Sequence, residues 1–338
     1  ELKEGNRSMF GRKLHSLMEE RLSRGEQTIL FLNRRGYAGF VSCRACGHVM
    51  KCPHCDVSLS EHKNGLLICH YCGYQERKPE KCPVCASPYL LGFKAGTQQV
   101  EEAIYREFPQ ARVLRMDGDT TRKKESYEKI LSAFADEEAD ILVGTQMIVK
   151  GHDFPGVTLV GVLAADLSLN RNDYRAGERT FQLLTQAAGR AGRGERPGEV
   201  VIQTYQPEHY SVVYAARQDY EGFYREELAY RALVGYPPVE HMLAVLIVSR
   251  VQEDGEKLGQ QMAELIMAEM GEISGFRVIG PAQASIGKIS DLYRHTLYLR
   301  HREYQVLVRA KDRWERFCRE HEQRDQTVQF DFDPMNTY

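Results

Sequence analysis

Eight of the nine cysteines fall between residues 43 and 85, as four C-x-x-C pairs: Cys43/Cys46, Cys52/Cys55, Cys69/Cys72 and Cys82/Cys85. Cys318 stands apart. Clustered pairs at this spacing, in a chain whose first residues Glu1-Leu2-Lys3-Glu4 carry no apolar signal region, read as metal sites rather than a disulfide framework. Segments such as Cys52-Pro53-His54-Cys55 and Cys82-Pro83-Val84-Cys85 look like zinc knuckles, whose short loops let backbone amides face thiolate sulfurs. Eight thiolates make two four-cysteine zinc sites with no open coordination position, so the ions are expected to fold the module and not to catalyse.

Three pairings of the knuckles exist. The nested one puts Cys52, Cys55, Cys69 and Cys72 on an inner zinc and Cys43, Cys46, Cys82 and Cys85 on an outer zinc. The 56–68 loop favours it, because Asn64-Gly65 is a strong hairpin signal before the apolar run Leu66-Leu67-Ile68. Pairing the first two knuckles leaves only 47–51 to fold back, and the crossed pairing needs interleaved loops.

Two further stretches carry residues able to handle phosphate. In Gln186-Ala187-Ala188-Gly189-Arg190-Ala191-Gly192-Arg193-Gly194 the polar residues Gln186, Arg190 and Arg193 fall at i, i+4 and i+7. On a helix these offsets lie at about 0, +40 and −20 degrees, one face. Glycine inside a helix costs about 1 kcal/mol relative to alanine. Gly189 and Gly192 therefore suit close approach to a polyphosphate, with arginine neutralising transition-state charge, better than a plain packing stripe with two solvated arginines. In Val143-Gly144-Thr145-Gln146-Met147-Ile148-Val149-Lys150-Gly151-His152-Asp153-Phe154-Pro155, Thr145 can bond a phosphate, Lys150 can neutralise one and Gly151 permits backbone approach. This stretch follows a predicted strand at its carboxyl end, where open α/β sheets place ligands.

The elements positioning these residues alternate. Apolar periodicity predicts a helix from Met9 to Leu22 ending at Gly25, then a strand over 27–32. Past the cysteines it predicts helices over 98–108, 122–135 and 178–191 among strands over 112–116, 140–144, 158–163 and 199–204. That alternation means a parallel, doubly wound α/β sheet with the zinc segment inserted into it. After Pro207 a helical stretch ends at Gly235-Tyr236-Pro237-Pro238. Strands over 242–249, 276–279, around Ile286 and Tyr298, and 327–332, with helices over 253–270 and 303–320, then give a β-α-β-β-α-β order, a split βαβ module. The expected domains are 1–40 with 92–206, the zinc module 41–91, and 207–338.

Composition narrows the class. A chain of 338 residues is long enough for two or three domains, and no stretch approaches the apolar length of a membrane span. Lys plus Arg is 45 against 47 for Asp plus Glu, which excludes a uniformly basic coat but not a local one. From 288 to 319, nine basic residues, Lys288 and Arg294 among them, face four acidic ones, with Tyr293, Tyr298 and Trp314 interleaved, a composition suited to phosphate attraction and base stacking. The zinc segment moves from +2 (six basic minus four acidic) to −2 once eight thiolates and two zinc ions are added, so it suits protein docking or strand wedging better than phosphate clamping.

The G-T-Q-M-x-x-K-G-H-D-F stretch and the Q-x-x-G-R-x-G-R stretch together resemble the second RecA-like lobe of helicase superfamily two. With the paired-knuckle insertion and the Gly-Tyr-Pro-Pro turn, the chain resembles the primosomal replication-restart helicase family over essentially its whole length. The resemblance implies part of an ATP-dependent 3'-to-5' DNA helicase that recognises stalled forks and nucleates primosome assembly. It implies an arginine finger at Arg193, a second phosphate contact at Arg190, a coupling residue at Gln186 and nucleotide-side contacts at Gly151 and Asp153. Thr145, Gln146, Lys150 and His152 would lie toward DNA, as would Lys288 and Arg294. The implied cofactors are two zinc ions and ATP with Mg²⁺. The implied partners are forked and single-stranded DNA, the single-strand-binding protein, primosome proteins and the replicative helicase loader, in the bacterial cytoplasm at the nucleoid and with no membrane partner.

A complete helicase also needs a G-x-x-x-x-G-K-[ST] phosphate loop and an acidic magnesium motif after a strand. Neither occurs: the sole Gly-Lys, Gly287-Lys288, is followed by Ile289. The chain is accordingly expected to be the C-terminal portion of a longer protein, lacking the first lobe and unable to hydrolyse ATP alone. The alternative is a non-enzymatic zinc-ribbon nucleic-acid-binding or chaperone-type module. J-domain co-chaperones also carry four C-x-x-C repeats, but as C-x-x-C-x-G-x-G units, whereas here only Gly47 and Gly73 directly follow a pair.

Overall fold

The computed structural model describes residues 8–32, 40–43, 46, 48–55, 57–61, 65–69, 71–93, 96–118, 120–121, 124–145, 148, 153–169, 173–194, 196–320 and 325–336. In chain order these form α1 (Arg12–Ser23), β1 (Gln27–Leu32), five short strands β2 (Phe40–Cys43), β3 (Ser60–Glu61), β4 (Leu66–Ile68), β5 (Gln75–Arg77) and β6 (Leu90–Phe93), then α2 (Thr97–Glu107), β7 (Val113–Met116), α3 (Lys124–Ala135), β8 (Ile141–Gly144) and β9 (Val157–Leu163). They continue with α4 (Asp166–Leu169), α5 (Ala176–Ala188), β10 (Glu199–Ile202), α6 (Tyr210–Arg217), α7 (Tyr220–Val234), β11 (His241–Ser249), α8 (Gln252–Met270), β12 (Arg277–Ile289), β13 (Leu292–His301), α9 (Tyr304–Glu320) and β14 (Gln326–Phe332). The chain divides into two compact units, one of residues 1–37, 94–171 and 176–225, the other of 38–93, 172–175 and 226–338.

The first unit is built on a parallel five-stranded sheet in the order β10-β9-β1-β8-β7. Every residue of β1 is buried, as a central strand covered on both faces requires. Alternation sends Ile29 and Phe31 into one core with Leu131, Phe134, Phe181 and Leu184, and Leu30 and Leu32 into the other with Leu14, Met18, Val100 and Ile104. The predicted doubly wound architecture is thus present. Residues 207–225 belong to this unit and not to the C-terminal domain in which the sequence reading placed them, because Val212, Ala215 and Phe223 complete the first core. The helical stretch expected there consists of two helices, α6 and α7, separated at Gln218, whose backbone is left-handed (φ 53°).

In the second unit β12-β13-β11-β14 form an antiparallel sheet. Helices α8 and α9 bury Leu258, Met262, Ile266, Leu307, Trp314 and Phe317 against Leu243, Val245, Ile247, Leu297 and Leu299. This is the expected split βαβ order. The two strand segments read separately over 276–279 and around Ile286 are one 13-residue strand, β12, with irregular register between Ile279 and Ala282 and between Gln283 and Lys288. Trp314, the only tryptophan, is wholly buried and donates its indole N–H to the Met262 carbonyl at 2.7 Å.

The same unit holds the zinc module. Strands β2 and β6 pair antiparallel, Cys43 opposite Leu90, and β3-β4-β5 form a three-stranded sheet. Strands of two to four residues are too short to hold themselves in water. The cluster of Val41, Met50, Leu59, Leu67 and Leu90 that they enclose is small and shared with the cysteines.

His295, on β13, is buried, and burial pushes its imidazole below the ordinary value, with partial opposition from Glu256. The unfolded chain takes up a proton near pH 6.5 and the folded one only lower. Stability is therefore full above that value and is lost as pH falls from it toward the folded value. We expect the denaturant midpoint of this unit to drop as pH falls below about 6.5, and His295→Gln to flatten that dependence. Parallel pH profiles for the two proteins would exclude His295 as the source.

Candidate functional site

The eight paired cysteines converge on two points. The sulfurs of Cys43, Cys46, Cys82 and Cys85 lie within 4.8 Å of one another, as do those of Cys52, Cys55, Cys69 and Cys72. This is the nested pairing. The β2–β6 pair carries the outer knuckles together and the β3–β4–β5 sheet the inner ones. The hairpin turn expected at Asn64-Gly65 is described only from Gly65, which is left-handed (φ 72°); Asn64 lies outside the described residues.

The donor set fits zinc. Tetrahedral Zn–S bonds of about 2.3 Å give sulfur–sulfur edges near 3.8 Å. Cys43–Cys85, Cys46–Cys82 and Cys52–Cys72 stand at 3.6, 3.7 and 3.6 Å. Burial pushes the Cys55 thiol up to about 12, against the lowering pull of the Ser290 amide. Cys69 is also pushed up by burial, yet the Cys72 and Tyr71 amides and the thiols of Cys72 and Cys52 outweigh this and bring it down to about 7. At Cys85 the Ser87 amide lowers the value, but hydrogen bonding with Cys46, burial and the thiols of Cys43 and Cys82 raise it to about 12. A dication bound among four sulfurs replaces thiol protons and compensates thiolate charge, which suits donors brought this close together. A four-sulfur zinc site contributes on the order of 10 kcal/mol to folding, far more than these short strands.

The arginine segment departs from the single-face helix. Helix α5 ends at Ala188, so Arg190 and Arg193 lie beyond it and only Gln186, exposed, is helical. The last turn tightens, with Arg190 N–H reaching the Ala187 carbonyl at 3.1 Å and Ala191 N–H that of Ala188 at 3.2 Å. The chain then reverses at Gly192, φ 72°, whose N–H bonds the Val157 carbonyl at 3.0 Å. Gly192 is therefore not a tolerated helix glycine. It supplies a left-handed turn, and a Cβ there would lie 2.5 Å from the Gly198 nitrogen. Likewise a Cβ at Gly194 would lie 2.6 Å from the Pro155 carbonyl.

This turn brings both guanidiniums to one carboxylate. Arg193 Nη1 pairs with Asp153 Oδ1, Arg190 Nη1 stands 3.9 Å from the same oxygen, and Arg193 Nε donates to the Gly189 carbonyl at 2.8 Å. Burial, with the neighbouring Arg193 charge, pulls the Arg190 value down while Asp153 pulls it up. An exposed carboxylate between two arginines marks a place with surplus positive charge, able to take an anion.

Thr145 lies at the carboxyl end of β8, as expected, but Asp153 and the arginines lie at the amino end of β9. The β8–β9 connection crosses β1, which pairs with both strands. Gly144 sits level with Phe31 and Val157 with Gln27, four residues and about 13 Å apart along the sheet. Gln146, Lys150, Gly151 and His152 lie outside the described residues.

Of the C-terminal basic residues, Lys288 donates to the Pro53 carbonyl at 3.0 Å and Arg294 to the Ile286 carbonyl at 3.1 Å. Both are therefore engaged inside their unit. Lys311 and Arg313 are paired with Glu315 and Glu269, while Arg309 and Arg316 are exposed on α9. Sequence reasoning did not find the packing role of Pro155 and Gly198, for which the density of glycine from 189 to 198 was the available signal.

Three family models match consecutive segments: the PriA DNA helicase Cys-rich region (CRR) domain at 52–77, the helicase conserved C-terminal domain at 89–195 and the primosomal protein N C-terminal domain at 232–335. The chain is 46% identical over 336 residues to the replication restart protein PriA of Bacillus subtilis (strain 168), covering 99% of this chain and 42% of that protein. It is 46% identical over 323 residues to that of Synechocystis sp. PCC 6803 (94% and 39%) and 39% identical over 300 residues to that of Chlamydia trachomatis serovar D (88% and 40%). The chain thus spans about two fifths of the length of these relatives.

Metal analysis of the folded chain should give two zinc ions, and Cys69→Ser should keep one, at the outer site; loss of both or of neither would contradict two separate sites. Gly192→Ala should destabilise the first unit by more than about 1 kcal/mol, whereas Gly189→Ala, whose Cβ would meet nothing closer than 3.5 Å, should not. Equal melting temperatures for the two variants would count against the turn assigned to Gly192.

Proposed function

This chain belongs to the PriA replication-restart family, and from that premise we propose that it supplies the second RecA-like motor lobe, the zinc module and the C-terminal domain of an ATP-dependent 3'-to-5' DNA helicase that recognises stalled forks and starts primosome assembly. The observation that carries the reading is the β8–β9 connection. It links Thr145 at one end of the sheet to Asp153, Arg190 and Arg193 at the other, so one loop can report between a DNA-facing and a nucleotide-facing edge.

On this reading Arg193 is the arginine finger and Arg190 a second phosphate contact, while Gln186 couples the nucleotide to the DNA edge. Gly151 and Asp153 lie toward the nucleotide, and Thr145, Gln146, Lys150 and His152 toward DNA. ATP with Mg²⁺, whose other wall a phosphate-loop lobe provides, supplies the anion and the energy. Asp153 keeps the two guanidiniums in place when no phosphate is there, and a γ-phosphate competes for Arg193 with the same charge logic. The C-terminal contribution to DNA binding passes from Lys288 and Arg294 to exposed cations such as Arg309 and Arg316.

Further proposed partners are the single-strand-binding protein, primosome proteins and the replicative helicase loader, with the protein in the cytoplasm at the nucleoid. No helix among the described residues is long and apolar enough to cross a membrane. The non-enzymatic zinc-ribbon and chaperone-type readings leave the convergence on Asp153 without a role.

Arg193→Ala in the full-length protein should lower DNA-stimulated ATP hydrolysis by about 10³-fold or more while fork binding is kept. Unchanged hydrolysis would refute the motor assignment. The chain by itself should show no DNA-stimulated hydrolysis, and its affinity for forked DNA should fall as salt rises.

A further inference from the structure

The turn joining β12 to β13 is a two-residue hairpin turn with Ser290 (φ 51°) and Asp291 (φ 60°) both left-handed. Such turns favour Asn-Gly or Gly-Gly because side chains resist this backbone. Two non-glycine residues held there need compensation from their surroundings. The compensation comes from the inner zinc knuckle of the same unit. Ser290 donates its amide to Cys55 Sγ at 3.2 Å, Asp291 its amide to the His54 carbonyl at 2.9 Å, and Lys288 its ammonium to the Pro53 carbonyl at 3.0 Å. The His54 ring nitrogen Nδ1 meets Asp291 Oδ2 at 2.6 Å, and Ile289 packs against the cluster that contains Cys55, Leu59 and Leu67.

We propose that the β12–β13 tip is an outer-shell element of the inner four-cysteine site, so that zinc held by Cys52, Cys55, Cys69 and Cys72 clasps the C-terminal domain to the zinc module. The physical link is the Ser290 amide. A metal-bound sulfur is an anionic acceptor, and hydrogen bonds to an ionised group are about twice as strong as neutral ones. The donor therefore favours the metal-loaded site, and by reciprocity the loaded site favours the seated hairpin. Lys288 adds a cation beside a site whose four thiolates and one dication sum to −2. The His54–Asp291 pair is too exposed to hold the contact alone and serves to orient the tip. Ser290, Asp291 and Lys288 are positioning residues for the inner ion and leave the outer ion as an internal reference.

This inference rests on zinc occupying the inner site, so metal content comes first. The whole chain is loaded with zinc, or with ¹¹³Cd in its place, and compared with Lys288→Ala/Asp291→Ala and with the conservative Asp291→Asn. Trp314 emission verifies that the C-terminal domain stays folded, and Asp291→Asn supplies the test should the double variant fail to fold. We expect two ¹¹³Cd resonances, one showing coupling to the Ser290 amide proton. In the double variant the inner ion should be lost to a chelator about ten- to a hundredfold faster, with the outer ion unaffected, and Asp291→Asn should fall between it and the native chain. Removing the inner ion should in turn speed hydrogen exchange at Ser290 and Asp291. A chain that binds a single metal would overturn the zinc reading and the clasp with it. Two bound metals with unchanged release rates and metal-independent exchange at the tip would overturn the clasp alone.

Discussion

Two sets of four sulfur atoms, each set lying within 4.8 Å of one another, are the constraint on which the short strands β2 to β6 of the second unit depend. Strands of two to four residues around a handful of apolar side chains do not hold themselves in water, so residues 40–93 need the metal-site energy to exist as a fold. Order then propagates outward. The inner knuckle gives a fixed shape to Pro53-His54-Cys55, and that shape receives the tip of a long hairpin from a different sheet. On the clasp proposed above, a metal at the inner site acts beyond its own ligands, through the backbone groups of Pro53, His54 and Cys55 that the hairpin tip meets.

The first unit solves a different problem, that of carrying polar residues to opposite ends of a parallel sheet with one connection. Because β1 lies between β8 and β9, the chain leaving β8 must cross it and return to the start of β9. Residues a few positions apart in sequence, Thr145 and Asp153, consequently serve different edges. Backbone proximity that only glycine permits fastens the arginine turn to the end of this connection, Gly194 against Pro155, and to the chain entering β10, Gly192 against Gly198.

Much of this was legible in the residues. Cysteine spacing and the Asn64-Gly65 signal selected the nested pairing, since loop length alone disfavoured the other two. The apolar run Ile29–Leu32 of β1 announced a strand buried on both faces, and the alternation after it announced a parallel sheet. Local rules misled at Gly189 and Gly192. Periodicity extended α5 to residue 191, because a heptad-like spacing of polar residues cannot distinguish a helix from a helix followed by a turn. The boundary at 206 failed for a related reason, since α6 shows its amphipathic face in sequence but not which core that face completes.

What the sequence determined by itself were the donor atoms and the type and order of the main strands and helices of the two larger sheets, which are fixed by short-range chemistry: thiolate pairs, hydrophobic period and turn residues. What only the tertiary structure decided were the meetings between residues remote in the chain, Asp153 with Arg190 and Arg193, and Ser290 with Cys55. Those depend on strand order and on how two sheets present their loops. Neither Lys288 nor Arg294 could be told from a solvent-facing cation until the carbonyls of Pro53 and Ile286 were found beside them, because a charge in sequence carries no record of its neighbour in space.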